Sequence, residues 1–101
     1  MGRYYRRNGT PCKLMEWAKA FEDREQKIVR RTDVGNVLIS TVWLGLDHRF
    51  GPGGPPLIFE TLVFGGTLDQ EQNRYSTEEE AIAGHQAMVE RVKQEPPHVQ
   101  T

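Results

Sequence analysis

Val37-Leu-Ile-Ser-Thr-Val-Trp-Leu-Gly-Leu46 and Leu57-Ile-Phe-Glu-Thr-Leu-Val-Phe64 decide the fold of this chain. Both are rich in β-branched and aromatic residues, which suit a pleated, half-buried surface. The first carries apolar side chains at odd and even positions alike, so it reads as a central strand. In the second, Phe59, Thr61 and Val63 share one face, and Ile58, Glu60, Leu62 and Phe64 share the other. Pro55-Pro56 lacks the amide donors of a ladder, so this strand starts after them, and Gly65-Gly66 ends it. Between the two lies Arg49 to Pro56, a stiff Gly/Pro loop longer than a hairpin needs.

Upstream, Lys27 to Arg31 reads as a strand and Asp33-Val34-Gly35-Asn36 as its turn. Before it, Leu14, Trp17, Ala18 and Phe21 recur at helical spacing, which predicts a helix over 13–25. At the N-terminus, Asn8-Gly9 is a strong hairpin signal between a short strand at 3–7 and a return through Thr10 to Cys12. Downstream, Thr67 to Tyr75 is a polar connection. Thr77-Glu78-Glu79-Glu80 is a capping box, opening a helix that runs to about Gln94 with Ala81, Ile82, His85, Met88, Val89 and Val92 on its apolar face. Pro96-Pro97 stops it, and 96–101 read as a loose tail.

The expected fold class is α+β. It is a small two-layer sandwich in one domain (1–95), with an antiparallel sheet made of the N-terminal hairpin plus a three-strand meander and two helices on one face. Trp17 and Phe21 are expected to dock with Val89 and Val92, leaving Trp43 and Phe59 on the sheet's open face.

At 101 residues, 37% hydrophobic and 27% charged, the chain has the composition of one globular domain and not of a disordered or membrane-spanning one. The longest apolar run is too short and too interrupted to cross a bilayer. Cys12 is the single cysteine, so no internal disulfide forms, and a reducing, cytoplasmic setting fits. The net charge of −1 gives no global pull toward nucleic acid. Residues 1–34 hold nine basic and five acidic side chains, and residues 35–101 four basic and nine acidic, a contrast that reads as two solvated, mutually attracting halves.

Three blocks in order carry a resemblance: Ser40-Thr-Val-Trp-Leu-Gly-Leu-Asp-His48, Pro55-Pro-Leu-Ile-Phe-Glu-Thr-Leu-Val-Phe-Gly-Gly66, and Arg74-Tyr-Ser-Thr-Glu-Glu-Glu-Ala81 with Gly84-His85. Over about residues 4–93 the chain resembles a family of small uncharacterised proteins of bacteriophages, especially those of actinobacteria, and of bacterial genomes. The family often has an acidic residue and Asp-Gly after its tyrosine pair, where this chain has Arg6-Arg7-Asn8-Gly9. The resemblance implies a phage or prophage context and no chemistry.

The candidate binding residues are Trp43, Asp47, His48, Arg49, Phe50, Glu60, Tyr75 and His85. Asp47 and His48 end the central strand beside the Gly/Pro loop that carries Arg49 and Phe50, and Asp47 is suited to accepting loop amides. Glu60, mid-strand among apolar neighbours, needs solvent or a cation from Arg30, Arg31, Arg74 or His85. His85 sits on an apolar stripe and needs a partner for each ring nitrogen, from Tyr75, Glu60 or a carbonyl. The bland reading of each is structural. A metal would require His48, His85 and carboxylates to converge without local ligand spacing, so neither metal nor other cofactor is expected. The favoured function is a non-enzymatic interaction module acting on a host or phage protein, with self-association left open. The alternatives are a small-molecule or nucleotide binder that stacks ligands on Trp43, Phe59 and Tyr75, and a small hydrolase or nuclease using Asp47, His48, Glu60 and His85.

Overall fold

The computed structural model describes residues 3–47 and 53–95. A hairpin of β1 (Tyr4–Tyr5) and β2 (Pro11–Cys12) is followed by helices α1 (Leu14–Glu22) and α2 (Arg24–Lys27). Then come β3 (Ile28–Val34), β4 (Val37–Trp43), β5 (Phe59–Phe64), β6 (Gln72–Tyr75) and α3 (Glu78–Gln94). The fold is α+β, with an antiparallel sheet of order β3-β4-β5-β6 and the helices packed on one of its faces. The hairpin forms a sheet of its own and does not extend the larger one. The tail expected at 96–101 lies outside the described residues.

Local chemistry explains the elements. Thr77 accepts the Glu80 amide at 3.1 Å while the Glu80 carboxylate accepts the Thr77 and Ser76 amides, which completes the capping box of α3. The single helix expected over 13–25 is broken at Asp23, whose extended backbone ends α1 while its carboxylate accepts the Glu25 amide at 3.0 Å and starts α2. Gly35, at φ +58°, and Asn36 form the two-residue turn of the β3–β4 hairpin, where Val34 faces Val37.

Register sorts the side chains. Ile39, Thr41 and Trp43 of β4 stand beside Val63, Thr61 and Phe59 of β5, and all six are buried. Trp43 and Phe59 therefore lie beneath the helices and not on the open face; both strands carry apolar residues on each side, so alternation alone could not say which side α3 covers. Nor do Trp17 and Phe21 dock with Val89 and Val92. Two apolar clusters occupy the covered face: Ile39, Val63, Met88, Val89 and Val92 at one end, and Trp43, Ile58, Phe59 and Ala81 at the other, the latter joined by Trp17 and Phe21.

Residues 44–47, which follow β4, bind the N-terminal hairpin. The Leu44 and Gly45 amides share the Ile58 carbonyl, the Tyr5 amide donates to Gly45, and Leu46 bridges Tyr4. Both tryptophans close this junction through their indole N–H groups, Trp17 to the Leu44 carbonyl at 2.9 Å and Trp43 to the Tyr5 carbonyl at 3.1 Å. Gly45 takes φ +67°, and a Cβ there would stand 2.5 Å from both Trp17 Nε1 and Trp43 Cζ2. Gly45→Ala is expected to cost at least about 2 kcal/mol, combining left-handed strain with displacement of packed rings. Urea unfolding measures this, and a cost under about 0.5 kcal/mol, the size of a neutral surface change, would refute the junction.

Candidate functional site

His85 lies at the centre of α3 with about 1% of its surface exposed. Nδ1 is 2.7 Å from Thr41 Oγ1 and Nε2 is 2.8 Å from Thr32 Oγ1. Thr41 Oγ1 also shares a hydrogen bond with Thr61 Oγ1. Burial, reinforced by the positive charge of Arg30, pushes the imidazole pKa below its ordinary value, so the ring is neutral under ordinary conditions. As the sequence suggests, this is a satisfied core histidine, but its partners are threonines and not Tyr75, Glu60 or a carbonyl. Thr41 and Thr61 are fully buried, and Thr32, at the other end of the chain of groups, is partly buried.

Glu60 points to the opposite side of the sheet and pairs with Arg74 on the neighbouring strand at 3.0 Å. Asp47 accepts the Leu57 amide at 3.1 Å, bracing the β4–β5 connection. Tyr75 packs against Gly84 of α3, where an alanine methyl would overlap the phenol ring. Its buried hydroxyl has no hydrogen-bond partner among the described residues. Trp43 is sealed in the core, and His48, Arg49 and Phe50 lie outside the described residues. Asp47, Glu60 and His85 thus occupy a strand end, one sheet face and the other sheet face. Among the described residues no three His, Cys, Asp or Glu side chains are grouped to hold a metal. The stacking surface expected of Trp43, Phe59 and Tyr75 does not form, because Trp43 and Phe59 are buried and Tyr75 faces the helix.

Two hollows border the hairpin. One, of about 170 Å³, is lined by Arg6, Cys12, Glu16, Trp17 and Trp43 among others. Its charges are engaged with each other: the Arg6 guanidinium grips the Glu16 carboxylate through two nitrogens and holds its pKa below the usual range. Burial pushes the Cys12 thiol up, away from the reactive thiolate. The other lies between the hairpin turn and the start of α3, where Arg7 bonds Glu78 at 2.9 Å and the Gln26 carbonyl at 3.0 Å. Arg6 and Arg7 therefore act as clamps within the fold.

The open side of the sheet, expected to carry Trp43 and Phe59, carries a different set of residues. Register places Ile28, Leu38, Val42, Leu62 and Phe64 together there, with Leu38 opposite Phe64 and Val42 between Ile28 and Glu60. None of them belongs to a buried cluster, and Phe64 is 43% exposed. Arg31, Asp33, Glu60 and Arg74 share this face, two cations against two anions. The sequence signal for this face is the even-numbered apolar residues of both central strands.

Comparison of the chain with protein-family models, with curated proteins and with solved structures finds no match. Among the described residues, no helix is long and apolar enough to cross a membrane.

Two substitutions separate structural from functional roles. Thr41→Val strands both His85 Nδ1 and the Thr61 hydroxyl, and should cost about 1–3 kcal/mol. Thr61→Val leaves Thr41 free to donate to Nδ1 and should cost less; the reverse order in urea unfolding would refute the hydrogen-bond chain. Tyr75→Phe removes an unpaired buried hydroxyl and should raise or preserve the melting temperature, whereas a drop of several degrees would reveal a partner for that oxygen.

Proposed function

We propose that this protein is a small non-enzymatic interaction module, encoded by a phage or prophage and working in the host cytoplasm, that binds a host or phage protein through the open face of the β3–β6 sheet. The observation that carries the reading is the set of Leu38, Val42, Leu62 and Phe64 on one face of the central strands, none of which joins an apolar cluster among the described residues. Scattered apolar residues are normal on a surface, but apolar residues grouped on one face of a sheet support a docking role. The charges around it favour a protein over a nucleic acid. Arg74 is committed to Glu60, and Asp33 offsets Arg31, so the face offers no surplus of cations to a phosphate backbone. A partner presenting an apolar ridge would bury Phe64 at the centre of such a contact, where aromatic anchors contribute most.

The phage or prophage setting rests on the resemblance of the three sequence blocks, and the absence of a membrane-spanning helix among the described residues is compatible with work in the cytoplasm. The test compares the intact chain with Phe64→Glu in affinity capture from actinobacterial lysate, with and without phage infection. The exposed site should tolerate the change within about 1 kcal/mol, so both proteins should melt alike. The expected result is a specific protein held by the intact chain and released by the variant. A folded variant that retains the same protein would overturn the assigned surface. Concentration-dependent dimerisation lost in the variant would replace the foreign partner with a second copy.

A further inference from the structure

We propose that His85 is a proton-sensitive latch between α3 and the sheet: the Thr32–His85–Thr41–Thr61 chain closes only around a neutral imidazole carrying its hydrogen on Nε2, and uptake of one proton breaks it.

The assignment follows from counting donors. Thr61 is fully buried, and its hydroxyl has one hydrogen-bond partner among the described residues, Thr41. Its hydrogen must therefore go to Thr41 Oγ1, or a buried donor is left unmade. Thr41 then donates its own hydrogen to His85 Nδ1, which fixes that nitrogen as the acceptor. The ring hydrogen sits on Nε2 and is donated to Thr32 Oγ1, which lies nearer the sheet edge and is only partly buried. Every fully buried donor in the chain is then used. The opposite tautomer reverses each bond and leaves the Thr61 hydrogen without an acceptor.

A proton arriving from solvent ends on Nδ1, and both ring nitrogens become donors. Thr41 must turn to accept, its hydrogen passes toward Thr61, and the Thr61 hydroxyl loses its acceptor in a fully buried position. Among the described residues no opposite charge faces the ring. Of the elements packed on His85, β3 presents Arg30 beside Thr41, and β6 presents the Tyr75 phenol. β4 and β5 present Thr41 and Thr61 and no titratable group. Arg31, Asp33, Glu60 and Arg74 stand on the far face, and the α3 neighbours Ala81, Met88 and Val89 are apolar. The imidazolium is thus buried among hydroxyls and alkyl groups, and Arg30, a charge of the same sign, acts on it.

The direction of the pH effect follows. Burial and Arg30 hold the folded pKa below the ordinary 6.5, so the unfolded chain binds the proton more readily. Stability is complete above that ordinary value and is lost as the pH falls from it toward the lower folded value.

The experiment reads three quantities. Nitrogen NMR of the imidazole at about pH 8, where the ring is neutral, reports the tautomer. Urea unfolding of the intact chain and of His85→Gln is followed from about pH 8 to about pH 5. Amide exchange along α3, corrected for intrinsic rates, is followed over the same range. The expected results are the Nε2–H tautomer, a ring titrating below the ordinary value, a urea midpoint that falls in the intact chain but not in the variant, and α3 amides that open more as the midpoint falls. An Nδ1–H tautomer, or an equal fall in the variant, would overturn the proposal. Should the variant not fold, the ring titration and α3 exchange of the intact chain decide: titration at the ordinary value with unchanged exchange refutes the latch.

Discussion

An imidazole sealed beneath a helix must satisfy two ring nitrogens without water, and much of this fold is arranged around that requirement. Thr32, Thr41 and Thr61 come from three successive strands, and all three must face α3 for the hydroxyls to meet the ring. A one-residue slip of any strand would turn its threonine to the other face and strand a buried donor or acceptor. The polar row therefore constrains register more sharply than the apolar residues around it, which tolerate exchange of one aliphatic group for another at modest cost. It also divides the core. Ala81, one helical turn before His85, joins the Trp43–Phe59 cluster, and Met88 and Val89, one turn after, join the Ile39–Val63 cluster.

Each half of the core is closed by a different device. At the Trp43 end the sheet surface extends beyond the reach of α3, and the N-terminal segment fills the gap. Tyr4, Trp17, Phe21 and Trp43 form a run of aromatic contacts, with Trp17 and Phe21 ring centres 4.9 Å apart. The two indole N–H groups in this run donate to main-chain carbonyls, which is the condition for burying such rings without loss. Arg7, bonded to Glu78 and to the Gln26 carbonyl, ties the hairpin to both α2 and the start of α3. The basic bias of residues 1–34 is thus spent partly on contacts within the fold, through Arg6 and Arg7.

The parts legible in the sequence were those whose cause is local. Thr77 and Glu80 announce the start of α3 by themselves, and the alternation of Phe59 to Phe64 sorts those side chains into two sets. The Glu60–Arg74 pair was among the pairings that a mid-strand carboxylate demands. What could not be read depends on partners distant in sequence. Gln72-Asn73-Arg74-Tyr75 has little intrinsic strand preference and becomes β6 because β5 offers a free edge to its main chain. Which face of β4 is covered was hidden because apolar residues occupy both sides, while threonines, ordinarily a sign of the wet face, sit on the dry one. The signal that resolves this is His85: a histidine on an apolar helix stripe calls for hydroxyls across from it, and Thr41 and Thr61 supply them.

The same alternation leaves the sheet with two unlike faces. On the covered side, large aromatics and a buried polar chain give one packing solution and little freedom. On the other, Leu38, Val42, Leu62 and Phe64 are held at fixed spacings by strands whose positions are set from beneath. A surface built this way loses little conformational freedom when a partner covers it, because its side chains stand on central strands and its charges have neighbours of opposite sign. Selection for stability alone would favour polar residues at Phe64, where the ring gains little from partial burial and adds an aggregation risk. Under the proposed function a partner covers Phe64 beside Leu38 and Leu62 in the working state, which removes that exposure and uses the asymmetry of the two faces.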